Sequence, residues 1–372
     1  MISTLFPQVF RRGRESLQSG FTDAHPSHLS DIQEDLDFFL NERALSERDA
    51  GLTTYWSQRA ALALERLVGA DGKLKRAALE NFRRDQVLVT DLPTAEVQGR
   101  ALRHNALSNV ALGWRRATIR CLRSCLAILE QRGYASYLRR HPCHPAGNPV
   151  MYGYKGYRYT FRWARHIYFL GLLKRVLGDR LPLDAIFLDI GSAYGIFSSL
   201  LKAEYPHSTH ILVDFPLQLI TARYFLSQRF PGARIAGVHE LRAEPVITRK
   251  LISQYDFVLI PPTLFERLQA RSADIVVNFG ALCEVSRETF DGYVHSPPLT
   301  TSHYLFMVDR IQAKPELHDD LTILDFPIWD TTKKLHFDIC PMYSVDFSFQ
   351  VRRTFFTKYY IPPPYFEYIG RT

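Results

Sequence analysis

The stretch Asp184–Pro216, DAIFLDIGSAYGIFSSLLKAEYPHSTHILVDFP, decides the fold. Ala185 to Ile190 is a short apolar run of branched and aromatic residues, which reads as a buried strand. It ends in Gly191-Ser192-Ala193-Tyr194-Gly195, and apolar residues then recur at helical spacing. Thr209 to Val213 is a second apolar run, closed by Asp214. Strand, glycine turn, helix and strand make a βαβ unit with a parallel crossover.

Glycine at 191 and 195 lets the chain turn tightly and leaves space for a ligand to approach the backbone. A carboxylate at the tip of the second strand is a partner for the two hydroxyls of a ribose, which assigns that role to Asp214. A dinucleotide fingerprint needs Gly-x-Gly-x-x-Gly, whose middle glycine clears a pyrophosphate. That place is Ala193 here, so a nicotinamide-dependent reductase is disfavoured.

The 372 residues exceed one small domain and suit two units that share a core. The formal net charge of +8 is spread along the chain. Such a diffuse excess favours solubility and anionic small molecules and does not by itself argue for nucleic acid. Five cysteines without a regular framework fit a reducing, cytoplasmic compartment. No apolar run approaches the ~18 to 20 residues that a bilayer demands, so no membrane span is expected.

Residues 1 to about 30 read as a polar lead-in, after which helical patterns follow over Asp31–Leu45, Tyr55–Leu67, Leu74–Phe82 and Asn105–Gln131. Residues 1–150 are therefore expected to form a helical lead and cap region, and residues 151–372 the catalytic domain. Cys121 and Cys125, with His141 and His144 further on, could ligate zinc. Two cysteines one turn apart on an apolar face are more simply core residues, so no metal is expected.

Met151 to Gly178 is aromatic and basic, and its rings, alternating with Lys155, Arg158, Arg162 and Arg165, could stack bases and hold phosphates or form a sugar-binding wall. Phe161–Leu177 reads as the helix laid against the first strand, and part of Tyr152–Tyr159, including Tyr154, as a ligand contact. Pro216–Phe230 is a second helix, opened by a proline suited to a first turn. Tyr255–Ile260, Asp274–Phe279 and Thr301–Val308 read as further strands, and Tyr343–Phe349 as a closing one. Strands alternating with helices argue a doubly wound α/β sheet.

The pattern Asp189-x-Gly191-x-x-x-Gly195 resembles motif I of class I S-adenosylmethionine-dependent methyltransferases. With VDFP at 213–216, IPP at 260–262, the Asn278–Glu284 segment and YLFMVDR ending at Arg310, the chain is similar to a bacterial family of sugar O-methyltransferases over roughly residues 160–315. The resemblance implies a Rossmann-like sheet that binds S-adenosyl-L-methionine. Asp189, Gly191, Ser192, Gly195, Asp214 and Phe215 would hold the cofactor, and Tyr154, Asn278 and Arg310 the acceptor. The chain departs from the family in carrying Ala281, Leu282 and Val285 in the segment after the fourth strand, and Asp309 where an asparagine is usual.

Methyl transfer from a sulfonium is an in-line displacement, and a sugar hydroxyl needs a base to accept its proton. Glu284, just past the fourth strand, is the candidate. The expected partner is a small-molecule sugar or glycoside acceptor, and assembly as a homo-oligomer is compatible with the sequence. A nucleic-acid methyltransferase and a non-catalytic scaffold of the same fold are the alternatives. The first would usually carry N/D-P-P-Y/F after the fourth strand, where Asn278 is followed by Phe279-Gly280.

Overall fold

The computed structural model describes residues 26–41, 54–85, 91, 108–312, 321–346 and 364–372. The remainder of the expected lead-in, the end of the first expected helix, the start of the Asn105–Gln131 helix and positions 347–349 lie outside the described residues.

The helical portion contains α1 (Pro26–Asn41), α2 (Thr54–Leu67), α3 (Arg76–Glu80), α4 (Ser108–Gln131) and α5 (Ala135–Arg140). Cys121 and Cys125 sit in the core along α4, as a pair one turn apart on its apolar face should. The next stretch is an antiparallel hairpin, β1 (Tyr152–Tyr154) and β2 (Tyr157–Tyr159). Its two-residue turn places Lys155 and Gly156 at φ of 50° and 78°, the left-handed pair that matches strand twist.

Helix α6 (Phe161–Leu177) then leads into β3 (Ile186–Ile190), α7 (Ile196–Glu204), β4 (Thr209–Val213) and α8 (Pro216–Arg229). Thr160 caps α6 by accepting from the Trp163 N–H at 3.1 Å. Pro216 occupies the first turn of α8, where its missing N–H costs nothing. Strands β5 (Ile235–Ala236), β6 (Phe257–Ile260), β7 (Ile275–Phe279), β8 (Tyr304–Arg310), β9 (Lys333–Ile339) and β10 (Tyr365–Arg371) complete the sheet.

Among the described residues the sheet has eight strands in the order β5-β6-β4-β3-β7-β8-β10-β9. From β5 to β8 neighbours are parallel, and β10 is antiparallel to both β8 and β9. The chain winds outward from β3 in one direction and then in the other, so the fold is a Rossmann-like, doubly wound α/β sheet with its topological switch between β3 and β7. Strands β3 and β4 are buried along their whole length, as strands covered on both faces are.

Two expectations are corrected. The described part of the expected closing strand, residues 343–346, is not a strand: Pro341–Asp346 forms a short helix, α9, started by a proline that a sheet interior would not accept. The fifth core strand begins at Tyr304 and runs through Asp309 and Arg310, because Thr301 belongs to the preceding turn, where its hydroxyl bonds the Pro297 carbonyl.

Candidate active site

The glycine loop between β3 and α7 has positive φ at three positions: Gly191 (75°), Ala193 (49°) and Gly195 (78°). Alanine rarely adopts that conformation. Here it is held because the Ala193 N–H donates to Asp214 Oδ2 at 2.6 Å, while the Gly191 N–H donates to the Val213 carbonyl at 2.8 Å. The loop is thus strapped to the tip of β4. The Phe215 N–H donates to the other oxygen, Asp214 Oδ1, at 2.7 Å.

Each oxygen of an ionised carboxylate has two acceptor sites, so one on each oxygen of Asp214 remains. Burial raises the Asp214 carboxyl to about 6 against the lowering influence of these two backbone donors and of Arg162. Asp189, nearly fully buried in β3, accepts from Ser198 Oγ at 3.0 Å, and burial raises its carboxyl to about 7. Beside these two acids the Ser192 hydroxyl is buried without a hydrogen-bond partner among the described residues. An orphaned hydroxyl in such a loop is costly unless a ligand satisfies it.

The two glycines also serve packing. A Cβ on Gly191 would lie 2.0 Å from Ala281 Cβ, and one on Gly195 would lie 2.9 Å from the Leu212 side chain. The space that the sequence reading reserved for a ligand at Gly191 is therefore taken by the loop after β7. Asn278 fastens that loop. Its Nδ2 donates to the Ile190 carbonyl at 2.8 Å and its Oδ1 accepts from the Leu282 N–H at 3.4 Å. The fully buried Asn278 amide thus spans the switch point between β3 and β7 and spends both ends on main chain.

Glu284 ends a single 3-10 turn, Leu282–Glu284, with its side chain 25% exposed. Its Oε1 lies 4.0 Å from Arg310 Nη1. The Arg310 guanidinium is wholly buried and bonds the carbonyls of Leu321 (3.3 Å) and Cys283. The arginine expected at the acceptor is instead an internal brace beneath Glu284.

Past the tip of β7, the Tyr343 ring stacks on Tyr365 at 3.9 Å and its hydroxyl donates to the Phe279 carbonyl at 3.4 Å. Neither tyrosine stood out in the sequence, because α9 and β10 are far from β7 along the chain. Tyr154 lies on the hairpin with the Arg123 guanidinium 5.0 Å from its ring, on the side of α4. Phe215 follows Asp214 at the strand tip, half-buried.

A third arrangement was not legible at all. The Tyr194 hydroxyl donates to Asp91 Oδ1 at 2.8 Å, and Arg83 Nε donates to Asp91 Oδ2 at 2.8 Å. Arg83 is fully buried, with its guanidinium 5.2 Å from the Tyr194 ring and bonded to the His144 carbonyl at 2.6 Å. The glycine loop is thereby anchored to the helical portion as well as to β4.

No protein-family model matches the chain, and no curated protein matches it. Solved structures do. The chain is similar to the B. subtilis tRNA methyltransferase TrmK at 10% identity, covering 53% of this chain and 64% of that one, with a TM-score of 0.30. It thus spans a little under two thirds of that protein's length. It is also similar to the N-methyltransferase NodS from Bradyrhizobium japonicum WM9 in complex with S-adenosyl-L-homocysteine, at 12% identity over 57% of this chain and 87% of that one, with a TM-score of 0.31. A third is geranyl diphosphate C-methyltransferase from Streptomyces coelicolor A3(2), at 9% identity over 54% and 73%, with a TM-score of 0.34. Among the described residues no helix is long and apolar enough to cross a membrane.

Proposed function

We propose that the chain is an S-adenosyl-L-methionine-dependent O-methyltransferase whose acceptor is a hydroxyl of a sugar or glycosylated small molecule. Residues 151–372 would be its catalytic domain and the first 150 a lead and cap. The observation that carries the reading is the carboxylate of Asp214 held against the glycine loop, with one acceptor site left on each oxygen for a vicinal diol. Asp189, Gly191 and Gly195 keep the loop in shape, and the orphaned Ser192 hydroxyl offers the cofactor a further polar contact. When bound, the cofactor supplies an electrophilic methyl group. The chain's own part is to align an acceptor oxygen and take its proton.

Glu284 is the proposed base. It lies past the carboxyl end of β7, where ligands of open α/β sheets sit, and it is partly exposed. A positioned base typically contributes ~10²- to 10⁴-fold. Calorimetry with S-adenosylhomocysteine tests the cofactor half of the reading. The wild-type chain should bind it and Asp214→Ala should bind at least about tenfold more weakly; equal affinity would remove the carboxylate from the site. Incubation with labelled S-adenosylmethionine and a panel of free, nucleotide-linked and lipid-linked sugars tests the acceptor half. Label found only on nitrogen, or only on nucleic acid, would overturn the hydroxyl assignment.

A further inference from the structure

Helix α6 begins against its own electrostatics. A helix N-terminus carries partial positive charge and is stabilised by acids, yet the first turn of α6 contains none. The first turn instead contains Arg162, with Arg165 following at a spacing that shares its face. Other arginines held inside this chain are compensated: Arg83 has Asp91 at 2.8 Å, and Arg223 has Asp35 at 2.6 Å and Glu240 at 2.7 Å. Half-buried Arg162 has no carboxylate within 4.0 Å among the described residues. Burial, and then the neighbouring Arg165, push its guanidinium below its ordinary value. Tyr194, Asp91 and Tyr343 offset this only in part, and the Arg162 guanidinium stays lowered.

Its place in the fold is specific. The chain leaves α6 and returns through β3, so the start of α6 lies at the same end of the sheet as the tip of β3. His166, one turn into the helix, donates from Nδ1 to the Arg162 carbonyl (2.7 Å) and sets its ring 6.1 Å from Phe279 at the tip of β7 and 6.3 Å from Phe197 in the first turn of α7. Arg162, a turn nearer the helix start, therefore stands at the rim of the crevice. It is close enough to lower the pKa of both Asp189 and Asp214. The Arg165 guanidinium lies 4.5 Å from the Tyr343 ring on the β7 side of the same rim.

We propose that Arg162, backed by Arg165 and the N-terminus of α6, is an anion-binding site at the rim of this crevice, taking a carboxylate or a phosphate. The anion has two sources, the amino-acid carboxylate of the proposed cofactor or an acidic group on the acceptor. The proposal rests on the methyltransferase reading only for the first of these.

Calorimetry on the full chain with three probes separates the sources. S-adenosylhomocysteine carries the carboxylate, 5′-methylthioadenosine keeps the nucleoside and thioether without it, and pyrophosphate stands for an acidic acceptor. If the cofactor supplies the anion, Arg162→Gln weakens S-adenosylhomocysteine by about tenfold or more and leaves 5′-methylthioadenosine unchanged. If the acceptor supplies it, S-adenosylhomocysteine is unchanged and the wild-type affinity for pyrophosphate is lost in the variant. Pyrophosphate binding that depends on Arg162, without any binding of S-adenosylhomocysteine, would keep the anion site and sink the methyltransferase reading. Normal S-adenosylhomocysteine binding with neither probe sensitive to Arg162 would do the reverse. Arg162→Gln should also melt at or above the wild-type temperature, since it removes an unpaired, partly desolvated charge. A lower melting temperature would make the residue structural and overturn the proposal.

Discussion

Tyr194, inside the glycine loop, donates its hydroxyl to Asp91, which lies in the helical half of the sequence, at 2.8 Å. The same carboxylate is the counter-charge of the fully buried Arg83. Asp91→Asn would leave that guanidinium without compensation, and chemical denaturation should show a loss of about 3–5 kcal/mol. Tyr194→Phe removes only the hydroxyl and should cost about 1–3 kcal/mol. Both should also weaken S-adenosylhomocysteine, since the loop loses its second anchor; unchanged affinity would mean that β4 alone holds it.

Binding of the nucleoside should depend on pH through Asp214. Its carboxyl is raised to about 6 by burial, and only the ionised form offers acceptor sites on both oxygens. Affinity should therefore fall as pH drops through about 6. Asp214→Asn should bind more weakly throughout and flatten this part of the profile.

Asp189 predicts a pH dependence of stability with the opposite direction. Burial raises its carboxyl to about 7, above an unfolded value of about 3.9. The native state thus favours the protonated form. The contribution is fully present below about pH 4 and lost as pH rises through about 7. The free protein should melt higher at pH 5 than at pH 8, and Asp189→Asn should recover on the order of a few kcal/mol at pH 8. Equal pH slopes for the variant and the wild type would assign the dependence to other groups.

Gly191→Ala meets two obstacles at once, a φ of 75° and a new Cβ placed 2.0 Å from that of Ala281. Denaturation should report a loss on the order of 2–4 kcal/mol. A near-neutral result would show that the loop after β7 shifts easily.

Glu284→Gln should reduce kcat by ~10²- to 10⁴-fold while calorimetry finds the affinity for S-adenosylhomocysteine unchanged. Retained turnover would exclude Glu284 as the proton acceptor.

The centre of the fold was legible because its signals are local. Ile186–Ile190, the positive-φ glycines and Thr209–Val213 are all written within one short stretch, and the carboxylate that straps the loop, Asp214, closes it. Four features escaped for a common reason. The Arg83–Asp91–Tyr194 link, the Tyr343–Tyr365 stack, the Ala281 contact at Gly191 and the internal bonding of Arg310 all join segments remote in sequence, where no periodicity connects them. Tyr343 was further disguised: the alternation after it imitates a strand, and Pro341 at the helix start settles the matter. Arg162 stands in the sequence among cations that could hold phosphates, within a stretch read as a helix laid on the sheet; only the fold brings the first turn of that helix toward the crevice.

Strand β10 follows β9 in sequence and yet stands between β8 and β9. Synthesis order and spatial order therefore cross at this edge: β9 emerges from the ribosome before the neighbour it needs exists. Among the described residues Lys333–Ile339 pairs only with β10, so until residues 365–371 arrive it lacks that ladder and Tyr304–Arg310 lacks its antiparallel neighbour. A nascent chain arrested before that point would expose two unpaired edges at once, a species for chaperones to shield.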